Sequence, residues 1–458
     1  MPDSTNPYDY PPSEPQNITK TGVNLANDFP APLPYINYDN GIRLSTQYLE
    51  DTNYRQTVNC QAKLKTLQFI YYIQHDLGEP LWSVANDEGY DTAYNINDNS
   101  CPNIGAEYKT LEKYMPVMPY VRESRRIIGI TTVTAKDIKR TQPLGSIIKS
   151  EHDYPDSIAV GDYPDDLHNC SSNDTLESQL NETRNDIPNP NTVGTFGVPF
   201  EALIPEKIDG FIAAEKNISV SRLVEGAIRL QPITMNTGQA AGTIAALAVT
   251  GGVQPRSVRP ELVQQELVKD NQIISPYIYS DVPQSNIYWK AIQFVSAHGI
   301  SIGYGNGKFG PNDPLTRAQA AVVLALAANL DISHPPTIPT FQDVGVNDFG
   351  YAQIEAIYKA GITAGCSVSP KKFCPNDNAS RWQFAVLLSN ALKFDTSHVS
   401  QVPYFTDVPL GSAYFPFVQG LYEKGITAGC SVSPMKFCPD LDISRGQAAA
   451  FIALSLWK

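Results

Sequence analysis

The sequence is short of positive charge. Lys and Arg number 34 against 47 Asp and Glu, so 34 − 47 gives a formal net charge of −13 over 458 residues. A basic surface of the kind that tracks phosphate backbones is excluded, and nucleic acid is not an expected partner. Long apolar runs are missing too: the longest, Gly242–Val249 and Ala320–Leu330, fall short of the roughly 20 residues a bilayer span needs. The first residues, Met1-Pro-Asp-Ser-Thr-Asn-Pro-Tyr8, lack the basic and apolar regions of a secretion signal, so the expectation from this end is a chain without an export address. What is present is globular. Hydrophobic residues make up 42% and aromatics 10%, which rules out wholesale disorder, collagen and coiled coil.

The seven cysteines pull against the missing export address. Four of them form two near-identical words, Cys366-Ser-Val-Ser-Pro-Lys-Lys-Phe-Cys374 and Cys430-Ser-Val-Ser-Pro-Met-Lys-Phe-Cys438. A pair closing the same short loop twice is a disulfide signature, and disulfides persist in oxidising compartments. A zinc site is the weaker reading, because neither loop contains a His or a further Cys. Cys60, Cys101 and Cys170 are an odd set with no pairing evident.

Residues 276–458 repeat internally. Tyr279-Ser-Asp-Val, Phe341-Gln-Asp-Val and Phe405-Thr-Asp-Val each open a unit that continues with an apolar helical stretch ending in Gly-Ile. A loop, a Phe-x-Pro word and a second apolar helix follow. The second helices begin with Thr316-Arg-Ala-Gln319, Ser380-Arg-Trp-Gln383 and Ser444-Arg-Gly-Gln447. Hydroxyl and Gln three residues apart make a capping box. Arg is left unexplained, because a cation in the first turn opposes the helix dipole. A helix N-terminus beside Arg suits a carboxylate or phosphate; plain solvation of Arg is the other reading.

These three units, 276–333, 338–395 and 402–458, resemble S-layer homology repeats, whose words are Phe-x-Asp-Val, Gly-Ile-x-x-Gly-Tyr, Phe-x-Pro and Thr-Arg-Ala-Glu. The resemblance implies an all-α, three-lobed module whose grooves hold an acidic cell-envelope polysaccharide through Arg317, Arg381 and Arg445. Gln319, Gln383 and Gln447 stand where that family favours Glu, and Cys-closed loops replace Gly-Tyr in the second and third copies.

Residues 1–275 are of another kind. About fifty Pro-, Asn- and Tyr-rich residues, with a short strand at Tyr35–Tyr38, precede an amphipathic helix over Cys60–His75, where Leu64, Leu67, Ile70, Tyr71 and Ile73 share one face. Strands are expected at Val121–Ala135, Ser157–Val160, Val198–Leu203 and Phe211–Ala214, and a loop at Cys170–Pro190. A helix over Arg229–Ala248 carries Pro232 near its start and the small residues Gly238, Ala241, Gly242 and Ala245 on one face.

The words Arg122-Glu-Ser-Arg-Arg126, Asp156-Ser-Ile-Ala-Val-Gly-Asp-Tyr-Pro164 running on to His168, Pro199–Pro205, Asp209–Ala214 and Arg229-Leu-Gln-Pro with Gly238-Gln-Ala-Ala-Gly242 resemble the C-terminal end of a secreted-type FAD-dependent oxidoreductase family. The resemblance implies an α+β region in which Arg229, Gln231, Pro232, Thr234, Gly238, Gln239 and Gly242 lie against FAD. The last helix then turns its N-terminus towards the flavin pyrimidine edge.

His168 is the candidate acid or base, since imidazole titrates near neutral pH; a structural His bonded near Asp165 or Asp166 is the competing reading. Arg125 and Arg126 alternate faces on a strand, so at most one points into a site, where it holds an acidic substrate or pairs with Glu123 or another surface carboxylate. No metal site is expected.

The strand–Gly-x-Gly-x-x-Gly–helix unit that cradles the FAD pyrophosphate is lacking before residue 275. The pattern occurs at Gly305-Asn-Gly-Lys-Phe-Gly310, between two helices of a repeat, where it serves a tight loop. FAD is therefore expected only if the missing half is supplied, by a longer reading frame or by a second polypeptide. The whole reads as an extracytoplasmic, envelope-anchored oxidoreductase of a bacterium, incomplete in this chain. The alternative is a non-catalytic envelope-binding protein with a remnant oxidoreductase region.

Overall fold

The computed structural model describes residues 47–93, 104–116, 125–139, 154–164 and 193–458, with the short pieces 18–19, 22–23, 101–102, 179–183 and 186. The expected strand at Tyr35–Tyr38, His168, Cys170 and most of 170–190 lie outside the described residues. By contacts the chain forms two compact units, 1–124 with 167–175 and 125–166 with 176–458.

The first unit holds a two-residue hairpin, β1 (Ile18–Thr19) and β2 (Gly22–Val23), then α1 (Gln47–Glu50), α2 (Thr52–His75) and α3 (Lys109–Glu112). Asp51 caps α2, its carboxylate accepting from the amides of Asn53 and Tyr54. The expected apolar face is realised: Leu67 and Ile70 pack with Ile104, Tyr108 and Met115, while Leu64 and Tyr71 flank them. The Cys60–Cys101 disulfide passes through this core. Buried Lys63 and Glu112 lie 3.4 Å apart, with Lys109 also on Glu112; each buried charge is thus paired.

The second unit opens with an extended segment and α4 (Ala135–Ile138), then β3 (Ser157–Gly161) antiparallel to β4 (Phe196–Pro199). Helices α5 (Arg222–Ile228), α6 (Gln231–Gly251) and α7 (Pro260–Lys269) follow. α6 and α7 pack on each other and on β3, burying Ile233, Ala240, Ile244, Val263 and Leu267. Phe196 lies across Gly161, where an added Cβ would sit 2.2 Å from its ring, so this register requires Gly.

Three sequence expectations need correction. Residues 125–134 form no strand; the backbone is extended, with single bridges from Gly129 to Pro205 and from Val133 to Val220. The expected strand at Val198–Leu203 ends at Pro199 and tightens into a 3₁₀ turn over Phe200–Leu203. Phe211–Ala214 is loop, tied by the Ala213 amide to the Leu203 carbonyl at 2.8 Å. β-branched and aromatic residues supplied the strand pattern, but single bridges and turns satisfy these backbones instead.

The repeats supply α8 (Trp289–Ala297), α9 (Arg317–Ala327), α10 (Tyr351–Lys359), α11 (Arg381–Ala391), α12 (Phe415–Glu423) and α13 (Arg445–Leu456). The Gly-Ile words stop the first helices. Gly299, Gly361 and Gly425 take positive φ, and the amides of Ile300, Ile362 and Ile426 reach back to Val295, Ile357 and Leu421, as in a Schellman motif. The module departs from all-α in the Cys-closed loops, which fold into the hairpins β5 (Ser367–Val368) with β6 (Lys371–Lys372) and β7 (Ser431–Val432) with β8 (Met435–Lys436).

Helix pairing crosses the repeats: α9 packs on α10, α11 on α12, and α13 returns to α8. The chain therefore closes on itself in a ring. Residues on both sides of 275 share one unit, and a hydrogen-bonded seam joins them. Gln264 of α7 donates to the carbonyls of Pro155 and Ser157 and takes His298 on its oxygen. Gln293 accepts from the amides of Ile274 and Ser275, and Arg259 donates to the Leu456 carbonyl.

Candidate functional site

Chemistry-bearing residues gather in two places, the start of α6 and the centre of the ring. Leu230 caps α6 without a side-chain bond, and Pro232 occupies its first turn. The amides of Ile233 and Thr234 return to the Leu230 carbonyl, and Thr234 Oγ1 donates to the Gln231 carbonyl at 3.0 Å. Pro232 brings no N–H, so this helix end offers its dipole more than its amides.

Gln231, Pro232, Gln239 and Gly242 lie on the exposed side of α6 and Thr234 and Gly238 at its margin, whereas Ala241 is buried. Nothing lies within 4 Å of a Cβ built at Gly238 or Gly242. The small-residue face is therefore not explained by packing within the described residues.

Arg229, the C-cap of α5, is buried with Arg222 and Glu225 of the same helix. Arg126 brings Nη1 to 4.0 Å from the buried Glu225 carboxylate; Glu123 lies outside the described residues. Arg125 is exposed, and its carbonyl accepts from Asn217 Nδ2 at 2.6 Å.

At the ring centre, three backbone bonds of 2.9 Å link Leu315 to Ile443, Ile443 to Ala379 and Ala379 to Leu315. Around them, Arg317 Nε donates to the Phe373 carbonyl, Arg381 Nε to Phe437 and Arg445 Nε to Phe309, at 2.9, 2.9 and 2.8 Å. Each Arg thus locks its own repeat to the next, and the third locks back to the first. The three residues are 7%, 3% and 7% exposed, and their guanidiniums lie over Phe373, Phe437 and Phe309. Burial lowers all three pKa values from the ordinary Arg value, yet Arg stays charged in proteins. Among the described residues no carboxylate lies within 4.0 Å of them, and their Nη atoms make no hydrogen bond.

The helix ends beside these cations are closed. All three capping boxes form, and the first two amides of each helix bond to carbonyls of the next repeat: Arg317 and Ala318 to Asp377 and Pro375, Arg381 and Trp382 to Leu441 and Pro439, Arg445 and Gly446 to Asp313 and Pro311. The expectation that helix-terminal amides await an anion is thereby overturned. What remains available for an anion is the outer edge of each guanidinium.

Sequence reasoning also missed the role of the Asp in each opening word. Asp281, Asp343 and Asp407 accept from the amides of Phe309 and Gly310, Phe373 and Cys374, and Phe437 and Cys438, at 2.8–2.9 Å. Its signal was the recurrence of Asp in every opening word, 28, 30 and 30 residues before the Phe of Phe-x-Pro. Both Cys pairs form, Cys366–Cys374 and Cys430–Cys438.

The FAD dependent oxidoreductase family model matches residues 10–267, more than half of the chain. The chain belongs to that family. The S-layer homology domain matches 278–321 and 404–449, and the middle repeat of this family member carries the same bonds at equivalent places. Relatives are an S-layer protein of Bacillus thuringiensis subsp. finitimus, 29% identical over 46% of this chain and 23% of its own length, and S-layer protein EA1 of Bacillus anthracis, 28% identical over 47% and 22%. An endoglucanase of Bacillus sp. (strain KSM-635) is 26% identical over 39% and 19%. The chain spans about a fifth of the length of these curated relatives.

Membership implies FAD. The described residues of this oxidoreductase-family chain do not by themselves fit a dinucleotide, since each sheet is two-stranded and antiparallel whereas the pyrophosphate cradle needs a parallel βαβ turn. In the Gly305–Gly310 loop, Asp281 already occupies the amides of Phe309 and Gly310. A second carboxylate-like group is excluded there. No helix among the described residues is long and apolar enough to cross a membrane.

Proposed function

We propose that the protein is a bacterial cell-envelope protein whose ring of S-layer homology repeats holds an acidic cell-wall polysaccharide through Arg317, Arg381 and Arg445. The observation that carries this is three buried cations in equivalent positions, each with Nε spent on the fold and none within 4.0 Å of a carboxylate among the described residues. Similarity to S-layer proteins and to an endoglucanase, each over a minor part of its length, fits an anchor carried by different proteins. The three disulfides suit an oxidising location outside the cytoplasm. The test is sedimentation with purified acidic cell-wall polysaccharide and with its carboxyl-reduced form. Binding to the first alone is expected; equal binding to both would refute the cation reading.

The oxidoreductase region supplies substrate-side groups: the exposed start of α6 at Gln231, Pro232 and Thr234, the open Gly238–Gln239–Gly242 face, and Arg125 and Arg126, with His168 as proton carrier. FAD, when bound, supplies the electron acceptance, and its retention depends on a dinucleotide-binding half beyond what the described residues provide. A non-catalytic envelope-binding protein is the second reading, favoured by the two-stranded antiparallel sheets. The visible spectrum of the purified chain with added FAD tests the first reading: flavin bands that co-purify support it, and a protein that stays colourless removes it for this chain on its own.

A further inference from the structure

Each repeat places one residue three positions before its Gly-Ile word and another immediately before its opening aromatic, and the three copies differ there. In the first copy these are Ser296 and Ile278, and the Ser296 hydroxyl pairs with that of Tyr279 at 2.9 Å. In the second they are Tyr358 and Thr340. Thr340 donates its amide and hydroxyl to Glu355. The Lys371 ammonium lies 3.9 Å from the centroid of the Tyr358 ring and is bonded to the Tyr358 hydroxyl. In the third copy both are tyrosines, Tyr422 and Tyr404, and their rings stack with centroids 3.4 Å apart and planes at 25°.

The surroundings hold that stack in place. The Tyr404 amide donates to Gln419 Oε1 at 3.2 Å, one turn before Tyr422 on α12, and both rings meet Phe405 edge-on, at 5.6 and 5.5 Å. A hydrogen bond to Tyr404 keeps the proton on the Tyr422 hydroxyl and pushes its pKa up to about 12. Tyr404 is 41% exposed, so a dissolved oxidant can reach it. Among the described residues the other tyrosine rings that meet, Tyr71 with Tyr108 and Tyr277 with Tyr279, lie 6.4 and 6.5 Å apart, and Tyr108, Tyr277 and Tyr279 are buried. A cation over a ring is attracted by its electrons, so the Lys371 ammonium opposes loss of an electron from Tyr358. The third repeat alone joins contact, access and the absence of a covering cation.

We propose that Tyr404 and Tyr422 are an oxidative coupling site, joined by a peroxide activated by a haem into a covalent staple between the opening word of the third repeat and α12. Each phenol gives up one electron and one proton; the peroxide takes them as its O–O bond breaks and leaves as two waters. The two phenoxyl rings then form a carbon–carbon bond between positions ortho to their hydroxyls, and the hydrogens on those carbons move to the oxygens. The product is two hydrogens lighter. Rings already in contact react as one molecule, with the advantage that prior positioning gives. The staple fastens the repeat that closes the ring, where α13 returns to α8.

The test treats dilute full-length protein with hydrogen peroxide and a haem peroxidase, with free tyrosine as the check that the oxidant is active. Cleavage before Asp407 puts the two residues on separate peptides, so the staple appears in mass spectrometry as one species joining them, two hydrogens lighter than their sum. It is expected from wild type and from Tyr414→Phe, on chains that still migrate singly in a denaturing gel, together with a raised melting temperature. Tyr404→Phe keeps a ring that can stack, and is expected to lose both the linked species and the rise. Absence of the linked species from wild type while free tyrosine couples, an equal yield from Tyr404→Phe, or links found only between chains would overturn the coupling site. A linked protein that melts no higher than the untreated one would overturn its role as a staple.

Discussion

At the scale of the residue, glycine separates what packing demands from what it leaves free. Gly161 is forced by Phe196 lying 2.2 Å from where a Cβ would be, so Gly161→Ala should destabilise the second unit by about 1–3 kcal/mol, as overpacking does. Gly242 stands mid-helix with nothing within 4 Å of its built Cβ, and a helix-interior Gly costs about 1 kcal/mol against Ala. Gly242→Ala should therefore raise stability by up to that amount in urea unfolding. A stabilised Gly242→Ala beside a destabilised Gly161→Ala is the expected pair; a Gly242→Ala variant that unfolds more readily would mean the face is already in contact. The persistence of an open, unfavourable Gly on the face assigned to flavin is consistent with close approach of a flat ligand, since a side chain there would stand in the way.

At the scale of the element, α7 is the joint between the oxidoreductase region and the ring, and one imidazole makes it sensitive to acid. His298 lies at the end of α8, its ring tilted 38° against Phe294 and bonded through Nε2 to Gln264 Oε1 at 2.9 Å. Gln264 spends its amide nitrogen on Pro155 and Ser157, so its oxygen accepts and Nε2 must donate. Burial pushes the His298 pKa down to about 4, with Glu261 opposing weakly.

The folded pKa lies below the unfolded value near 6.5, so the unfolded chain takes the proton first as pH falls. Stability is full above about 6.5 and drains away from there towards 4, by at most about 3 kcal/mol. Urea midpoints recorded from pH 7 to 4 should fall for wild type and fall less for His298→Gln; parallel curves would remove His298 as the cause.

The elements themselves were legible where the signal is local. The capping boxes at Thr316, Ser380 and Ser444, the Gly-Ile stops and the two nine-residue Cys loops are all written in neighbouring residues. The strand expected at Val121–Ala135 was misread over its described part because the same β-branched pattern serves a segment held by single bridges. Burial of Arg317, Arg381 and Arg445 was not legible, because each partner carbonyl belongs to another repeat, 56 to 136 residues away.

At the scale of the whole molecule, those distant partners decide how the repeats stand or fall. In an open solenoid each repeat meets only its neighbours, and losing a terminal one subtracts roughly its own share of stability. Here α13 packs on α8, and Arg445 closes on the Phe309 carbonyl. Trp457 meets Phe294 edge-on at 5.3 Å, and Arg259 of the seam reaches the carbonyls of Leu456 and Lys458. Deleting 402–458 removes the covering of α8, the acceptor of Arg381 and, with Ile443, two of the three edges of the central triangle together. It would uncover Phe294 and Val295, both fully buried, at about 25 cal/mol for each Å² of apolar surface returned to water. The remaining two repeats should then melt far below the full-length protein and become protease-sensitive, instead of retaining two thirds of its stability. A deletion variant that melts cooperatively within a few degrees of full length would show that the ring is a stack of independent units. The same closure bears on the proposed anchor, since a ring that forms only when complete sets Arg317, Arg381 and Arg445 in equivalent places only when its third repeat is present.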